Sequence, residues 1–210
     1  MEWAERADAA IARYRGGERR GLDQRQLTQL ANAAWAAGAS LLMDGRRAEA
    51  EGWLRTAAER YRESWAGAPP DSWGRPIAAM KALLIAGDDA SGAARWALDA
   101  GAADAASPIG VYAATLALLV LGDDVAAGPA ATTLLVRDDF PDAVARSLAA
   151  LAARDRERYA AAALEVLASF EARSEFLEDV PVADTVLALQ ALACVRGIAA
   201  ALPPSPRVPS

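Results

Sequence analysis

Two pairs of neighbouring carboxylates are the groups in this sequence best suited to chemistry. Asp88–Asp89 and Asp123–Asp124 each end a copy of one motif, which reads LLIAGDD at 83–89 and LLVLGDD at 118–124. Such pairs can bind Mg²⁺ or Ca²⁺, or act as general acid and base. A third copy, LLMDGRR at 41–47, carries two Arg residues instead. Because a metal site would not survive that charge reversal, the motif indicates helix capping at a repeated corner, and we expect no metal site.

The other reactive side chains form no catalytic pattern. The chain has no His, which removes Ser–His and Cys–His pairs and His-based zinc sites. It also lacks a Gly-rich phosphate-binding loop. The single Cys, Cys194, lies in an apolar helical stretch, where a free thiol usually packs as a small hydrophobic group, so we expect it in the core. The sequence therefore predicts no catalytic residue and no cofactor.

Aromatic and basic residues are the stronger candidates for binding. All six Trp residues lie in the first half of the chain. Two of them, Trp65 and Trp73, lie on either side of a Pro-Pro turn in the Pro-rich segment SWAGAPPDSWGRP at 64–76, which also contains Arg75. This segment either packs on itself or offers the Trp and Arg types that are enriched in interface hot spots. Lys81 is the only Lys in the chain and adds a second cation to this region.

The elements that position these residues are helices. The composition is 54% hydrophobic and rich in Ala, the best helix former, and no alternation typical of strands occurs. The Gly residues of the repeated motif, Gly45, Gly87 and Gly122, are spaced by 42 and 35 residues, as at the corners of helical hairpins. A looser fourth corner falls at 152–158. The sequence predicts hairpins at about 24–65, 76–100, 108–136 and 142–172, a final helix at 182–196, and an extended or disordered Pro-rich tail at 201–210.

One unit of this pattern resembles a tetratricopeptide repeat. In the stretch 31–64, Gly38 stands at the small packing position of the first helix, and Gly45 stands at the turn. Ala50 and Ala57 occupy the two small positions of the second helix, with Leu54 at a large apolar position. The family's Trp position carries Ala34, and later units match only at the corner and in general pattern. The resemblance implies a single all-α domain over residues 1–200, built of antiparallel helical hairpins stacked as a right-handed array.

The resemblance also implies a binding surface. In such arrays the first helix of each hairpin lines a concave face. The expected partner-binding residues on this face and on the adjoining Pro-rich loop are Asn32, Trp35, Met43, Trp73, Arg75, Lys81 and Tyr112. A partly apolar groove of this kind suits a helix or an extended peptide of another protein. With few units, however, the array can be closed, and these residues are then core.

The sequence favours a non-enzymatic interaction module, an adaptor or regulator, over other classes. A bacterial immunity-type inhibitor is one alternative, and a small-molecule sensor or enzyme with a pocket near Trp73, Arg75 and Lys81 is another. Apolar helix faces also leave a homodimer open. The net charge of −6 argues against nucleic acid, and no segment is long enough to span a bilayer. With one Cys and an N-terminus unlike a signal peptide, we expect a cytoplasmic protein.

Overall fold

The computed structural model describes residues 2–209, which form ten α-helices. No β-strand occurs in this range, so the all-α prediction is confirmed. The helices are α1 (Trp3–Gly17), α2 (Gln24–Met43), α3 (Arg47–Glu63), α4 (Gly74–Ala86), α5 (Ser91–Asp99), α6 (Pro108–Val120), α7 (Asp124–Leu135), α8 (Asp142–Ala153), α9 (Arg156–Glu171) and α10 (Asp184–Val195).

The repeated Leu-Leu motif forms the corners between paired helices. Gly45, Gly87 and Gly122 have left-handed φ values of 78°, 79° and 76°, which glycine adopts without steric cost. The carbonyls of the two Leu residues before each Gly accept the hydrogen bonds that end the helix. For example, the amide of Gly87 donates to Leu84 (3.1 Å) and the next amide donates to Leu83 (2.9 Å). This is the Schellman arrangement of a helix end, and it recurs at the fourth corner around Arg154, whose φ is 52°.

The Asp residues of the motif serve structure. Asp123 caps α7 by accepting from the amide of Ala126 (3.0 Å), and Asp89 accepts from the amide of Ser91 (2.8 Å) at the start of α5. Asp88 and Asp124 bind Arg side chains instead. Within residues 2–209, no group of three or more His, Cys, Asp or Glu residues is arranged to hold a metal ion. The capping interpretation is confirmed for Asp123. Asp89 lies one residue before the N-cap of α5, Ala90, and Asp88 and Asp124 form ion pairs.

The helix pairs follow one another in space in chain order. The second helix of each pair contacts the first helix of the next pair, as α3 with α4, α5 with α6, and α7 with α8. The first helices also touch one another, as α4 with α6 and α6 with α8. At the N-terminal end, α1 packs on α2. The side chains buried between these layers are largely Ala and Leu, which allow the helices to approach closely.

The C-terminal segment folds back onto the stack of pairs. Helix α10 packs against α4, α8 and α9, and its Val186, Leu189 and Leu192 are almost fully buried. We call the surface of α4 and α8 that α10 covers the inner face. The Pro-rich tail, expected over 201–210 to be extended or disordered, has no helix or strand in its described residues 201–209, turns at 206–207 and lies along the body. Ser210 lies outside the described residues. The Arg207 carbonyl accepts from the amide of Ala183 (2.8 Å).

Cys194 is not in the core. It lies in the last turn of α10, and its side chain is exposed to solvent. The expectation of a buried thiol was wrong because the apolar stretch around it, LALQALACV, buries only one face of the helix. Leu189, Leu192 and Ala193 lie on that face, and Val195 lies on the exposed side with Cys194.

Candidate functional site

The inner face does not form the open groove that the sequence led us to expect, because α10 and the linker before it occupy the space. Trp35 is 4% exposed and packs in the same apolar cluster as Val180 and Val182 of the linker. Tyr112 is also buried, with its ring centroid 5.4 Å from that of Phe140. These two aromatic side chains are therefore core residues. In this conformation both side chains are almost fully buried, and their expected contact with a partner stays a prediction.

Two other expected binding residues, Asn32 and Met43, lie on α2. The Asn32 Oδ1 atom accepts a hydrogen bond from the Tyr61 hydroxyl (2.8 Å), which joins α2 to α3. Met43, at the end of α2, is partly buried and lines a small cavity with Arg6 of α1 and Arg207 of the tail. Asn32 is therefore engaged within the fold, whereas Met43 faces a cavity between α1, the end of α2 and the tail.

Trp73 and Arg75 act in the connection between α3 and α4. Trp73 is buried, its ring centroid lies 5.7 Å from that of Trp65, and its indole N–H donates to Asp71 (3.1 Å). The Pro-rich segment thus packs on itself. Arg75 donates to Gln24 and to the Thr28 hydroxyl (3.2 Å) at the start of α2. Burial lowers the pKa of this guanidinium below its usual value. The pocket that Lys81 lines contains neither Trp73 nor Arg75.

Lys81 lies at a polar centre on the inner face. Its Nζ atom forms an ion pair with Asp184 Oδ2 (2.6 Å) and donates to the Thr185 hydroxyl (2.9 Å), both in the first turn of α10. The Lys81 and Asp184 side chains are only 12% and 20% exposed. A partly buried ion pair with a hydrogen-bonded neighbour fixes where the two helices meet. It therefore sets the position of α10 on the inner face.

The electrostatic influence of Asp184 extends to two phenols. Burial, with a smaller contribution from the Asp184 charge, raises the pKa of Tyr61 and of Tyr112 well above the usual range. Glu178 adds to the effect on Tyr61. Both hydroxyls stay protonated at neutral pH and cannot serve there as bases.

A pocket of about 360 Å³ adjoins this polar centre. We call it the Lys81 pocket. Beside Lys81, Asp184 and Thr185, its walls come from Trp35 of α2, from Phe170 at the end of α9, and from residues of the linker that joins α9 to α10, chiefly Phe176, Val180 and Val182. The pocket therefore combines apolar side chains with one partly buried ion pair and the exposed charges of Arg173 and Glu175. Polar groups that converge on an apolar wall are a feature of sites for small molecules.

A second concavity lies on another part of the surface, between α3, α4 and α5. It has a volume of about 550 Å³. We call it the α3–α5 groove. Its lining is mainly apolar, from Ala58, Ala79, Leu83, Ala93 and Trp96, and Glu59 and Arg62 stand at its rim. The Arg62 guanidinium carbon lies 4.7 Å from the Trp96 ring centroid. The rim also holds an ion pair between Arg55 and Asp88 (2.5 Å).

The sequence did not predict this groove. The expected aromatic-plus-Arg contact was in the loop that contains Trp73 and Arg75, whereas the structure forms such a contact between Arg62 and Trp96, which are 34 residues apart in the chain. A local signal was present, because Arg62 follows Arg55 and Glu59 along one face of α3. The ring that Arg62 contacts, that of Trp96, comes from α5 in the next helix pair. The contact is therefore seen only when α5 is packed against α3.

Comparison with protein-family models, with curated proteins and with solved structures finds no match for this chain. Among the helices in residues 2–209, none combines the length and the apolar character needed to cross a membrane. The Lys81 pocket and the α3–α5 groove both combine apolar side chains with charged groups, which favours them as functional sites.

Proposed function

We propose that this chain is a non-enzymatic interaction module that binds a segment of a partner protein in the α3–α5 groove. The observation that carries the proposal is the groove itself, an apolar depression of about 550 Å³ whose floor remains uncovered by the C-terminal segment. Depressions of this size with a mainly apolar lining are typical binding sites.

The rim indicates the chemistry of the partner segment. Arg55 and Asp88 neutralise each other, whereas Arg62 and Glu59 have no ion-pair partner within residues 2–209. Arg62 is exposed and lies over Trp96, so it presents a positive charge beside an apolar surface. Trp and Arg are the residue types most enriched in interface hot spots. The groove thus suits an apolar segment that carries a carboxylate opposite Arg62.

Filling the groove tests the proposal. Gly92 lines the groove, and a Cβ atom built there would meet no atom within 4 Å, so Gly92→Tyr places a large side chain in the groove without disturbing the core. Gly128 of α7 is equally unobstructed, and Gly128→Tyr is the matched control. A random-peptide display library selected on the wild-type protein is expected to yield apolar peptides that contain an acidic residue.

These peptides should bind the Gly128→Tyr variant like wild type and bind Gly92→Tyr at least about tenfold more weakly, as loss of a hot-spot contact predicts. Arg62→Glu should also weaken them by repulsion of the acidic residue. Equal binding to all the variants would show that the groove is not the binding surface. A library that yields no peptide for wild type would contradict the proposal as well.

A further inference from the structure

The Lys81 pocket shares no lining residue with the α3–α5 groove, and it has the features of a separate site. At its base, Lys81 has three N–H donors, of which Asp184 and Thr185 engage two. The pocket therefore contains an ammonium group whose charge is neutralised by Asp184 and whose third N–H donor has no partner in the described residues. A ligand acceptor atom can take the third donor without breaking the ion pair.

The rim of the pocket carries one unneutralised charge of each sign. Arg173 and Glu175, both in the linker after α9, line the pocket and are exposed. Neither forms an ion pair with any residue in the described part of the chain. The Arg173 guanidinium carbon lies 4.0 Å from the centroid of the Phe170 ring, which holds the cation at the pocket edge. The pocket thus offers a cation and an anion that lack ion-pair partners in the described residues, in the same lining as the Lys81 donor.

The rest of the lining is apolar. Trp35, Phe170, Val180 and Val182 are each at most 5% exposed, and Phe176 packs beside Phe170 with ring centroids 6.4 Å apart. A volume of about 360 Å³ accommodates a molecule of a few tens of atoms at most. The matching ligand is therefore small, has an apolar part, and carries both charges.

The wall of the pocket is held in place by α1. Arg13 forms an ion pair with Glu178 (3.2 Å), and Arg6 donates to the Asp179 carbonyl (2.5 Å). Glu178 and Asp179 have left-handed φ values of 53° and 56°, which cost energy in residues with a side chain. These contacts stabilise a costly backbone shape that sets the linker against Trp35. A site arranged before the ligand arrives loses less entropy on binding.

We propose that the Lys81 pocket binds a free α-amino acid with an apolar side chain. The carboxylate lies between the third Lys81 donor and Arg173, the ammonium faces Glu175, and the side chain packs on Trp35 and Phe176. A simple carboxylic acid would leave Glu175 without a partner, and an amine would leave Arg173 without one.

Isothermal titration calorimetry on the full chain tests the proposal with L-phenylalanine and L-leucine as probes. N-acetyl-L-phenylalanine lacks the ammonium charge, and L-phenylalaninamide lacks the carboxylate. We expect the two amino acids to bind and each analogue to bind at least about tenfold more weakly, because a charge-assisted hydrogen bond is lost. An N-acetyl derivative that binds as well as the amino acid would overturn the zwitterion assignment.

Exposed side chains allow variants that leave the fold intact. Arg173→Gln and Glu175→Gln should each weaken L-phenylalanine at least about tenfold, with an unchanged circular dichroism spectrum and Tm. Arg158→Gln, at a highly exposed position of α9, is the matched control and should bind like wild type. Wild-type affinity in both linker variants would overturn the proposal. So would the absence of heat and of any Tm increase with both amino acids at about 10 mM, where a site with a Kd of about 1 mM would be mostly filled.

Discussion

Asp123 and Asp124 are adjacent residues of one type that the fold uses differently. Asp123 is exposed and caps α7. Asp124 points into the structure, where its carboxylate receives Arg196 (2.5 Å) and Arg154 (2.9 Å). The Arg196 side chain is only 5% exposed and also donates to the Leu119 carbonyl (2.7 Å). Asp124 therefore joins the end of α10 to two corners of the stack.

The matched pair Asp124→Asn and Asp123→Asn separates these roles at pH 7. The first change leaves the buried Arg196 without its counter-ion, and we expect the free energy of unfolding to fall by about 3 kcal/mol. The second keeps a side-chain oxygen that caps a helix about as well as Asp, so the change should stay within about 0.5 kcal/mol. Urea denaturation measures both. An equal loss in the two variants would mean that the ion pairs of Asp124 add no stability beyond a cap.

The contribution of Asp124 should depend on pH. Burial by itself would raise the pKa of this carboxyl, but the hydrogen bonds and charges of Arg196 and Arg154 outweigh it and hold the pKa below its usual value. The unfolded chain then takes up the proton more readily than the folded one. The stabilisation is complete above the unfolded-state pKa of about 3.9 and is lost as pH falls through the folded-state pKa. The stability gap between wild type and Asp124→Asn should therefore narrow below about pH 4, and a constant gap would contradict the assigned role.

Residue patterns predict the local part of this arrangement. Capping by Asp123 depends on an amide three residues away, so the motif LLVLGDD is enough to predict it. The partner of Asp124, in contrast, lies 72 residues further along the chain. No spacing rule connects Asp124 with Arg196. The contact depends on where α10 packs, which only the tertiary structure shows.

At the scale of elements, α2 and α3 approach each other closely at Gly38. A Cβ atom built at Gly38 would lie 2.8 Å from Leu54 Cγ and 3.1 Å from the Ala50 carbonyl oxygen. The helices approach so closely because position 38 carries no side chain. The tetratricopeptide resemblance implied a small residue at this position, and the contact with Leu54 supplies its physical reason.

Gly38→Ala should therefore destabilise the protein although Ala is the better helix former. Overpacking costs about 1–3 kcal/mol and the helix propensity of Ala returns up to about 1, so we expect a net loss of about 1–2 kcal/mol in unfolding free energy. Gly52→Ala in α3 is the matched control, because its Cβ would meet no atom within 4 Å. It should gain about 0.5–1 kcal/mol. A gain in both variants, measured by urea denaturation, would show that α2 and α3 separate easily.

At the scale of the whole molecule, the position of α10 decides what the inner face can do. Helical periodicity predicts that α4, α6 and α8 each have an apolar face, and the structure agrees. Periodicity does not specify what covers that face. An apolar face that a partner protein covers and one that a C-terminal helix of the same chain covers have the same residue pattern. Trp35 and Tyr112 fit both cases. The helices of the fold were therefore predictable, whereas the location of a free binding surface was not.

The burial of α10 indicates that it is part of the core and does not act as a detachable plug. Val186, Leu189 and Leu192 are at most 3% exposed, and Lys81 and Asp124 add ion pairs at the first turn of α10 and just beyond its end. Native-state hydrogen exchange should therefore find the most protected amides of α10 opening with the same free energy as those of α6, within about 1 kcal/mol.

Hydrogen exchange of the Leu189→Ala variant tests this expectation further. The substitution creates a cavity under α10 and should lower the opening free energy of both helices together, by about 3 kcal/mol. If α10 instead lost protection while α6 kept it, α10 would open on its own and free the inner face. The groove expected from the sequence would then exist in a minor state, and Trp35 and Tyr112 would line it. Equal loss in the two helices means that the inner face never opens without global unfolding. A macromolecular partner then has to bind outside it, as proposed for the α3–α5 groove.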